Sequence, residues 1–230
     1  MSPEIGAEQL RACPLFRQVG DAELGKVSRR LQRRSYRRGT VIFHQGDPGD
    51  ALHVIVSGAV KIVLASPEGD EAIIATLRPG DFFGELALLD GGARSATATA
   101  IEATETLVLD REVFRGLLDE HRDLRDALLT GLAVELRRLT GHVEDLHFLD
   151  LAGRLAARLV RLAREASPDA SGPIVLDWPY TQSDLAGMIG GTRQSVNRLL
   201  SDLLGGGLVR IERDQLVIAD LEALERRSER

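Results

Sequence analysis

Hydrophobic and polar positions change their period twice along the chain. In residues 1–32 the apolar positions Leu10, Leu15, Phe16, Leu24, Val27 and Leu31 recur at helical spacing among charged neighbours, which predicts short helices packed on the next segment of the chain. From about 38 to 110 short β-branched runs replace them, at 40–43, 52–56, 60–64, 72–77 and 106–109. Gly/Pro/Asp turns separate these runs at 45–50, 57–58, 67–70 and 78–81. Many short strands at regular spacing predict a β-sandwich or barrel. Residues 111–147 return to helical texture, with Asp110 placed to cap the first helix. Within the second helix Leu129, Leu132, Leu136, Leu139, Val143 and Leu146 follow one another at alternating three- and four-residue steps. That is a heptad seam, the pattern of two parallel helices. The alternative is one apolar stripe packed on the helix's own β domain. Phe148–Gly153 breaks the seam, and Asp150 can cap a helix reaching about Ala166. Beyond the 167–172 loop the pattern predicts a strand near Ile174–Leu176, two helices, and a hairpin of Leu208–Glu212 and Gln215–Ala219 around Arg213-Asp214.

Composition adds bounds. A hydrophobic fraction of 43% and a charged fraction of 28% are ordinary for a globular protein. No apolar run approaches the ~18–20 residues that span a bilayer, and the first residues lack the signal-peptide pattern. The single Cys13 excludes an internal disulfide and fits a reducing cytoplasm. The net charge of −6 weighs little against nucleic-acid binding, because the local footprint decides.

Two stretches carry chemistry. Residues 81–98 read DFFGELALLDGGARSATA. Gly84 lets the backbone approach a ligand closely. The run from Glu85 through Leu86 to Leu89 can open a short helix with free N–H groups toward an anion. Arg94 offers a bidentate, charge-assisted contact to a phosphate, and Ser95 adds a hydroxyl. Glu85 is costly beside an anion unless it has a task, such as accepting from a ribose hydroxyl. The bland reading is a surface turn in which Arg94 pairs with Glu85 or an aspartate.

Residues 181–200 read TQSDLAGMIGGTRQSVNRLL. Thr181 and Asp184 have capping-box spacing, opening a helix at Gln182 with Leu185, Ala186 and Ile189 as its apolar face. Gly190-Gly191 supplies a turn, and Thr192 caps a second helix. That helix carries Arg193, Gln194, Asn197 and Arg198 on one side and Val196, Leu199 and Leu200 on the other. The first residues of such a helix reach base edges in the major groove, and Arg to guanine is the commonest specific contact. The candidate DNA-contacting set is Thr181, Gln182, Thr192, Arg193, Gln194, Ser195, Asn197 and Arg198. The bland reading is a helical hairpin with solvated arginines.

Gly84-Glu85-Leu86 followed by Arg94-Ser95-Ala96 resembles the phosphate-binding cassette of cyclic-nucleotide-binding domains, and the likeness reaches back through the Gly46, Gly58 and Gly80 turns. It implies that Gly84, Leu86, Arg94 and Ser95 hold a cyclic phosphate and that Glu85 holds the ribose 2′-hydroxyl. The helix-turn-helix and hairpin wing resemble the C-terminal domain of the cyclic-AMP receptor/FNR superfamily of bacterial regulators. The resemblance covers about 15–225. It implies an α+β fold: an N-terminal cyclic-nucleotide-binding β-roll (1–110), a long dimerisation helix and hinge (111–149), and a C-terminal winged helix-turn-helix (150–230). It further implies a cytoplasmic homodimer that is not an enzyme and needs no metal or cofactor. Its effector would be a cyclic nucleotide such as cyclic AMP. Its partners would be pseudo-palindromic double-stranded DNA and RNA polymerase.

The chain departs from that pattern at two places. The two polar residues that meet adenine in the cyclic-AMP receptor fall here on Leu139 and Thr140. Leu139 has lost its hydroxyl, and an unpartnered buried base edge costs about 1–3 kcal/mol. A different effector, or activity without one, therefore stays open. The usual Arg-Glu and following Arg of the recognition helix become Arg193-Gln194 and Arg198. Glu accepts from cytosine N4 whereas Gln pairs with adenine, so the half-site should depart at that base pair.

Other chemistry finds little support. Cys13 reads as a small buried residue or an inert thiol, and one cysteine cannot hold an iron–sulfur cluster that takes four. His44, His53, His121, His142 and His147 lack metal-ligand spacing, although His142 on the seam helix is a conceivable haem ligand. No nucleophile elbow or Walker loop is present. A kinase or channel regulatory subunit is disfavoured by the helix-turn-helix and the lack of a spanning segment. A regulated enzyme is disfavoured by a small C-terminal region with no catalytic constellation.

Overall fold

Glycine-punctuated β-branched runs fold into two four-stranded antiparallel sheets. The structure, a computed structural model, describes residues 3–67, 69–169, 172–212 and 215–229. It divides into two units, Met1–Arg137 and Arg138–Arg230.

The first unit opens with helices α1 (Pro3–Ala12) and α2 (Asp21–Ser28). Eight strands follow: β1 (Gln32–Tyr36), β2 (Val41–Phe43), β3 (Ala51–Ser57), β4 (Val60–Ala65), β5 (Glu71–Leu77), β6 (Phe82–Phe83), β7 (Thr97–Ala100) and β8 (Thr104–Asp110). A short helix α3 (Glu85–Asp90) lies between β6 and β7, and α4 (Arg111–Glu120) and the start of α5 (Arg122–Phe148) close the unit. The sheets run β1-β8-β3-β6 and β2-β7-β4-β5. Five consecutive residues of β3, Ala51–Ile55, are buried, because both faces of that sheet are covered. Leu52 and Val54 join Leu107, Leu109 and helix residues Leu10, Phe16, Leu24, Phe114, Leu117 and Leu124 in one core cluster. Ile55 joins Val60, Phe83 and Ala98 in a second cluster, between the sheets.

Two strands escape the hydrophobic pattern. β1 reads QRRSY with its first four residues exposed. It is an edge strand held by pairing with β8, so no apolar alternation marks it. β7 reads TATA and buries only Ala98 and Ala100, side chains too small to register as a hydrophobic run. A correction concerns the cap of α4. Asp110 sits at the N-cap position, but its side chain makes no capping hydrogen bond. Instead the Arg111 N–H donates to the Asp50 carbonyl at 2.8 Å, so the β2–β3 loop satisfies the helix start.

The seam of α5 is largely uncovered within one chain. Leu129, Leu136, Val143 and Leu146 are 64%, 66%, 52% and 43% exposed, whereas Leu132 packs on the helix-side core.

The second unit continues through the last turns of α5 into α6 (Leu151–Ala166), β9 (Ile174–Asp177), α7 (Gln182–Ile189), α8 (Arg193–Gly205), β10 (Val209–Glu212), β11 (Gln215–Ile218) and α9 (Leu221–Arg227). The strands form an antiparallel sheet in the order β10-β11-β9, and Leu216 pairs with both Ile211 and Leu176. The turn pair Arg213-Asp214 lies outside the described residues. Asp150 caps α6 by accepting from Gly153 N at 2.7 Å, as its sequence position predicts. Helix α9, capped by Asp220 onto Ala223 N at 2.9 Å, is an addition to the sequence reading; seven residues give too short a window for periodicity. No helix among the described residues is long and apolar enough to cross a membrane.

Candidate anion cradle and nucleic-acid interface

β6 is followed by Gly84, the N-cap of α3, whose φ of +88° lies in the left-handed region that favours glycine. A Cβ at this residue would collide with the Arg94 guanidinium. Arg94, ten residues on, folds back onto Gly84. The residue is 5% exposed, its Nη1 donates to Gly84 O at 2.8 Å, and its Nη2 donates to Ala51 O at 2.9 Å. The Phe43 ring centroid lies 4.2 Å from Cζ. The Arg94 Nε is buried without a hydrogen-bond partner among the described residues. The nearest ion-pair contact is to the exposed Asp50 carboxylate at 3.8 Å.

A desolvated guanidinium held mainly by neutral carbonyls is short of counter-charge. Burial lowers the Arg94 pKa; Asp50 and Glu85 oppose that, and Arg111 adds to it. The Glu85 carboxyl is raised, first by burial and then by Glu135, with Arg94 pulling the other way. His53 stacks on Phe83 with ring centroids 4.9 Å apart. Burial, and then the charge of Arg94, push it down to about 3, so the imidazole stays neutral near pH 7. An anion entering here meets a preformed cation in a poorly screened setting.

Of the cassette residues read from sequence, Gly84, Glu85 and Arg94 come together, and Leu86 is exposed on α3. Ser95 follows Arg94 on the surface. Leu139 is half-buried and Thr140 exposed on the part of α5 that belongs to the second unit. Sequence reading missed Arg111, whose Nη2 donates to Ala87 O at 3.1 Å and to Gly49 O. It also missed Phe43 and His53. No local motif links these residues to the cassette; only strand pairing brings them there.

The second constellation is set by caps. Thr181 Oγ1 accepts from Asp184 N at 3.1 Å, and Asp184 Oδ2 accepts from Thr181 N at 2.9 Å. Gly190, with φ +66°, ends α7. Thr192 Oγ1 accepts from Ser195 N at 3.1 Å and starts α8. Val196, Leu200 and Leu203 are buried, which turns Arg193, Gln194, Asn197 and Arg198 outward, all exposed. Gln182 Nε2 donates to Asn197 Oδ1 at 3.0 Å, bracing the start of α7 against α8. Among the described residues Arg193 and Arg198 have no hydrogen-bond or ion-pair partner. They stand ready for an external acceptor.

Cys13 and His121 lie outside both constellations. Cys13 is fully buried, and burial pushes its thiol up to about 11, so the buried reading holds. Glu23, Glu120 and His121 bring ligand atoms within 4.8 Å of one another, a grouping absent from the histidine spacing. Glu23 is already paired with Lys26 at 2.9 Å.

Known proteins show the same two-part composition. Residues 33–121 match the cyclic nucleotide-binding domain family, and residues 153–227 match the Crp-like helix-turn-helix domain family. The chain is 34% identical over 221 residues to the CRP-like cAMP-activated global transcriptional regulator of Mycobacterium tuberculosis, covering 96% of this chain and 99% of that one. It is also 34% identical to the cyclic AMP receptor protein of Thermus thermophilus, covering 94% and 97%. Among solved structures FixK2 from Bradyrhizobium japonicum aligns with a TM-score of 0.76 at 25% identity, covering 86% of this chain and 96% of that one. By sequence, by domain content and by fold, this chain belongs to the CRP/FNR family of DNA-binding transcription regulators.

Proposed function

We propose that this regulator is a cytoplasmic homodimer, not an enzyme, whose DNA binding is gated by a cyclic nucleotide, with cyclic AMP the first candidate. The observation that carries the gating is Arg94: a buried guanidinium with an unpartnered Nε, set against Gly84 and beside a Glu85 carboxyl. In this reading Arg94, Ser95 and the backbone at Gly84 and Leu86 take the cyclic phosphate. Glu85 takes the ribose hydroxyl. The names of relatives that are cAMP-activated support the choice of nucleotide.

The exposed seam Leu129, Leu136, Val143 and Leu146 supports the dimer, since an uncovered heptad stripe gains most by pairing with its own copy. A two-fold dimer places two α8 helices about one DNA turn apart (~34 Å) on a pseudo-palindromic site. The effector shifts the population of that arrangement only by its differential affinity for it. RNA polymerase is the expected partner of a regulator seated on such a site.

The test is a calorimetric titration of cyclic AMP into the full-length protein, with Arg94→Ala as control. Saturable heat that the substitution removes supports the gating. No heat from a protein that still binds DNA overturns cyclic AMP as effector.

A further inference from the structure

Four backbone carbonyls around the cradle accept from just two arginines. Arg94 takes Gly84 O and Ala51 O. Arg111 takes Ala87 O and Gly49 O through the single nitrogen Nη2. Each guanidinium thus joins the segment that enters β3 to the cassette around α3. The two segments also touch without an intermediary: a Cβ on Gly49 would collide with the Ala87 side chain. The backbone adds one more tie, from Arg111 N to Asp50 O.

The two arginines cannot have the same task. Arg94 has five N–H donors: one from Nη1 and one from Nη2 go to Gly84 O and Ala51 O, which leaves the unpartnered Nε–H and the remaining Nη hydrogens for an anion. Arg111 ties the same two segments through Ala87 O and Gly49 O.

We propose that Arg111 is a positioning residue of the cradle: it clamps the Gly49–Ala51 segment to the cassette, so that the free donors of Arg94 stay aimed at a cyclic phosphate. The proposal rests on the reading of the cradle as a cyclic-nucleotide site. It also explains why two like charges sit at one loop, an arrangement that costs energy unless each has a separate job.

The experiment uses the full-length protein and its Arg111→Met and Arg111→Lys variants, with two readouts. The first is calorimetry with cyclic AMP. Arg111→Met is expected to raise Kd about tenfold, within the usual range for coupled sites, at unchanged stoichiometry. A mere folding defect would instead lower the stoichiometry. Arg111→Lys, which keeps one charged nitrogen, is expected to restore most of the affinity. The second is amide hydrogen exchange without ligand. Arg111→Met is expected to speed exchange in 49–51 and 84–91 and to leave β4 and β5 as they were; Arg111→Lys is expected to reverse this. A wild-type Kd in Arg111→Met overturns the proposal. So does a raised Kd with unchanged exchange, which would mean a long-range charge effect rather than a clamp. Should the wild-type protein take up no cyclic nucleotide, the gating reading fails on its own account, and unchanged exchange in Arg111→Met then overturns the clamp.

Discussion

The cradle around Gly84 and helix α8 both carry arginine, in opposite settings. Arg94 is 5% exposed and gripped by two carbonyls and an aromatic face. Arg193 and Arg198 are exposed on α8, and no described residue holds them. A buried guanidinium has already lost its water, so its geometry is fixed before the anion arrives and salt screens it little. An exposed guanidinium keeps its water and its freedom. It can choose among base edges, and its phosphate contacts weaken as salt rises. Detection of one small anion suits the first arrangement, and reading a long polyanion suits the second.

The largest effect should follow from removing Arg94. Arg94→Ala should weaken cyclic-nucleotide binding by more than about 100-fold, the scale of losing a desolvated, charge-assisted pair. It should also lower ligand-free stability by about 1–3 kcal/mol, because Gly84 O and Ala51 O lose their donor. Calorimetry and urea melts check both. Arg193→Ala should leave both quantities unchanged. A nucleotide affinity that survives Arg94→Ala would erase the contrast between the two arginine settings.

pH sharpens the contrast next. His53 lies beside Arg94 with its pKa pushed down to about 3, against 6.5 for a free imidazole. A depressed base is protonated first in the unfolded chain. The stability it confers is therefore complete above about pH 6.5 and is lost progressively as pH falls toward 3. Between pH 6.5 and 5 the loss amounts to about 2 kcal/mol. Glu85 and Asp81, both raised by burial, act with the opposite sign in acid. The informative measurement is thus the difference in urea-melt stability between wild type and His53→Gln across that window. A difference that does not change with pH would mean the imidazole is not held neutral. No comparable slope should arise from α8, whose reading face carries no histidine.

On the exposed side, Arg193→Ala and Arg198→Ala should each cost roughly 1–3 kcal/mol of discrimination between the best site and its mismatches. Titrations of labelled duplexes at two or three salt concentrations separate the two possible roles. A substitution that flattens the salt slope by about one and leaves site preference intact marks a phosphate contact. One that relaxes a single base pair marks a base contact. Cyclic-nucleotide binding in the cradle should show almost no slope over the same range.

The same contrast explains how much the sequence could reveal. Local devices were legible: the Thr181 capping box, the Thr192 cap, the Gly190 turn and the spacing of Gly84 to Arg94 are all set within about ten residues. Helix α8 needed only its own periodicity to separate Val196 and Leu200 from Arg193 and Arg198. What stayed hidden is built across the chain. Arg111 reaches a carbonyl 62 residues away, Phe43 and His53 arrive through strand pairing, and β1 owes its existence to β8 rather than to any pattern of its own. The misplaced Asp110 cap belongs to the same class, because Asp50 reaches the helix start only in the folded sheet. A surface that meets its ligand with one helix can be read from that helix. A buried site assembled by sheets cannot be read so completely.

The smallest effect tests Gln194. Gln194 lies next to Arg193 in the first turn of α8 and is exposed, and its amide offers both a donor and an acceptor. That pairing matches adenine N7 and N6, whereas a carboxylate accepts from cytosine N4. Selection from random duplexes with the wild-type protein should therefore enrich adenine where the Gln194 side chain reads. Gln194→Glu should move that preference to cytosine by about 1 kcal/mol, near the lower end for one bidentate contact. The preference at the flanking positions should not change. The substitution also places a negative charge in the first turn of a helix, where it favours the macrodipole, so folding is not expected to suffer. If both proteins select the same base at every position, Gln194 faces phosphate or solvent, and base reading on this helix falls to the two arginines and Asn197.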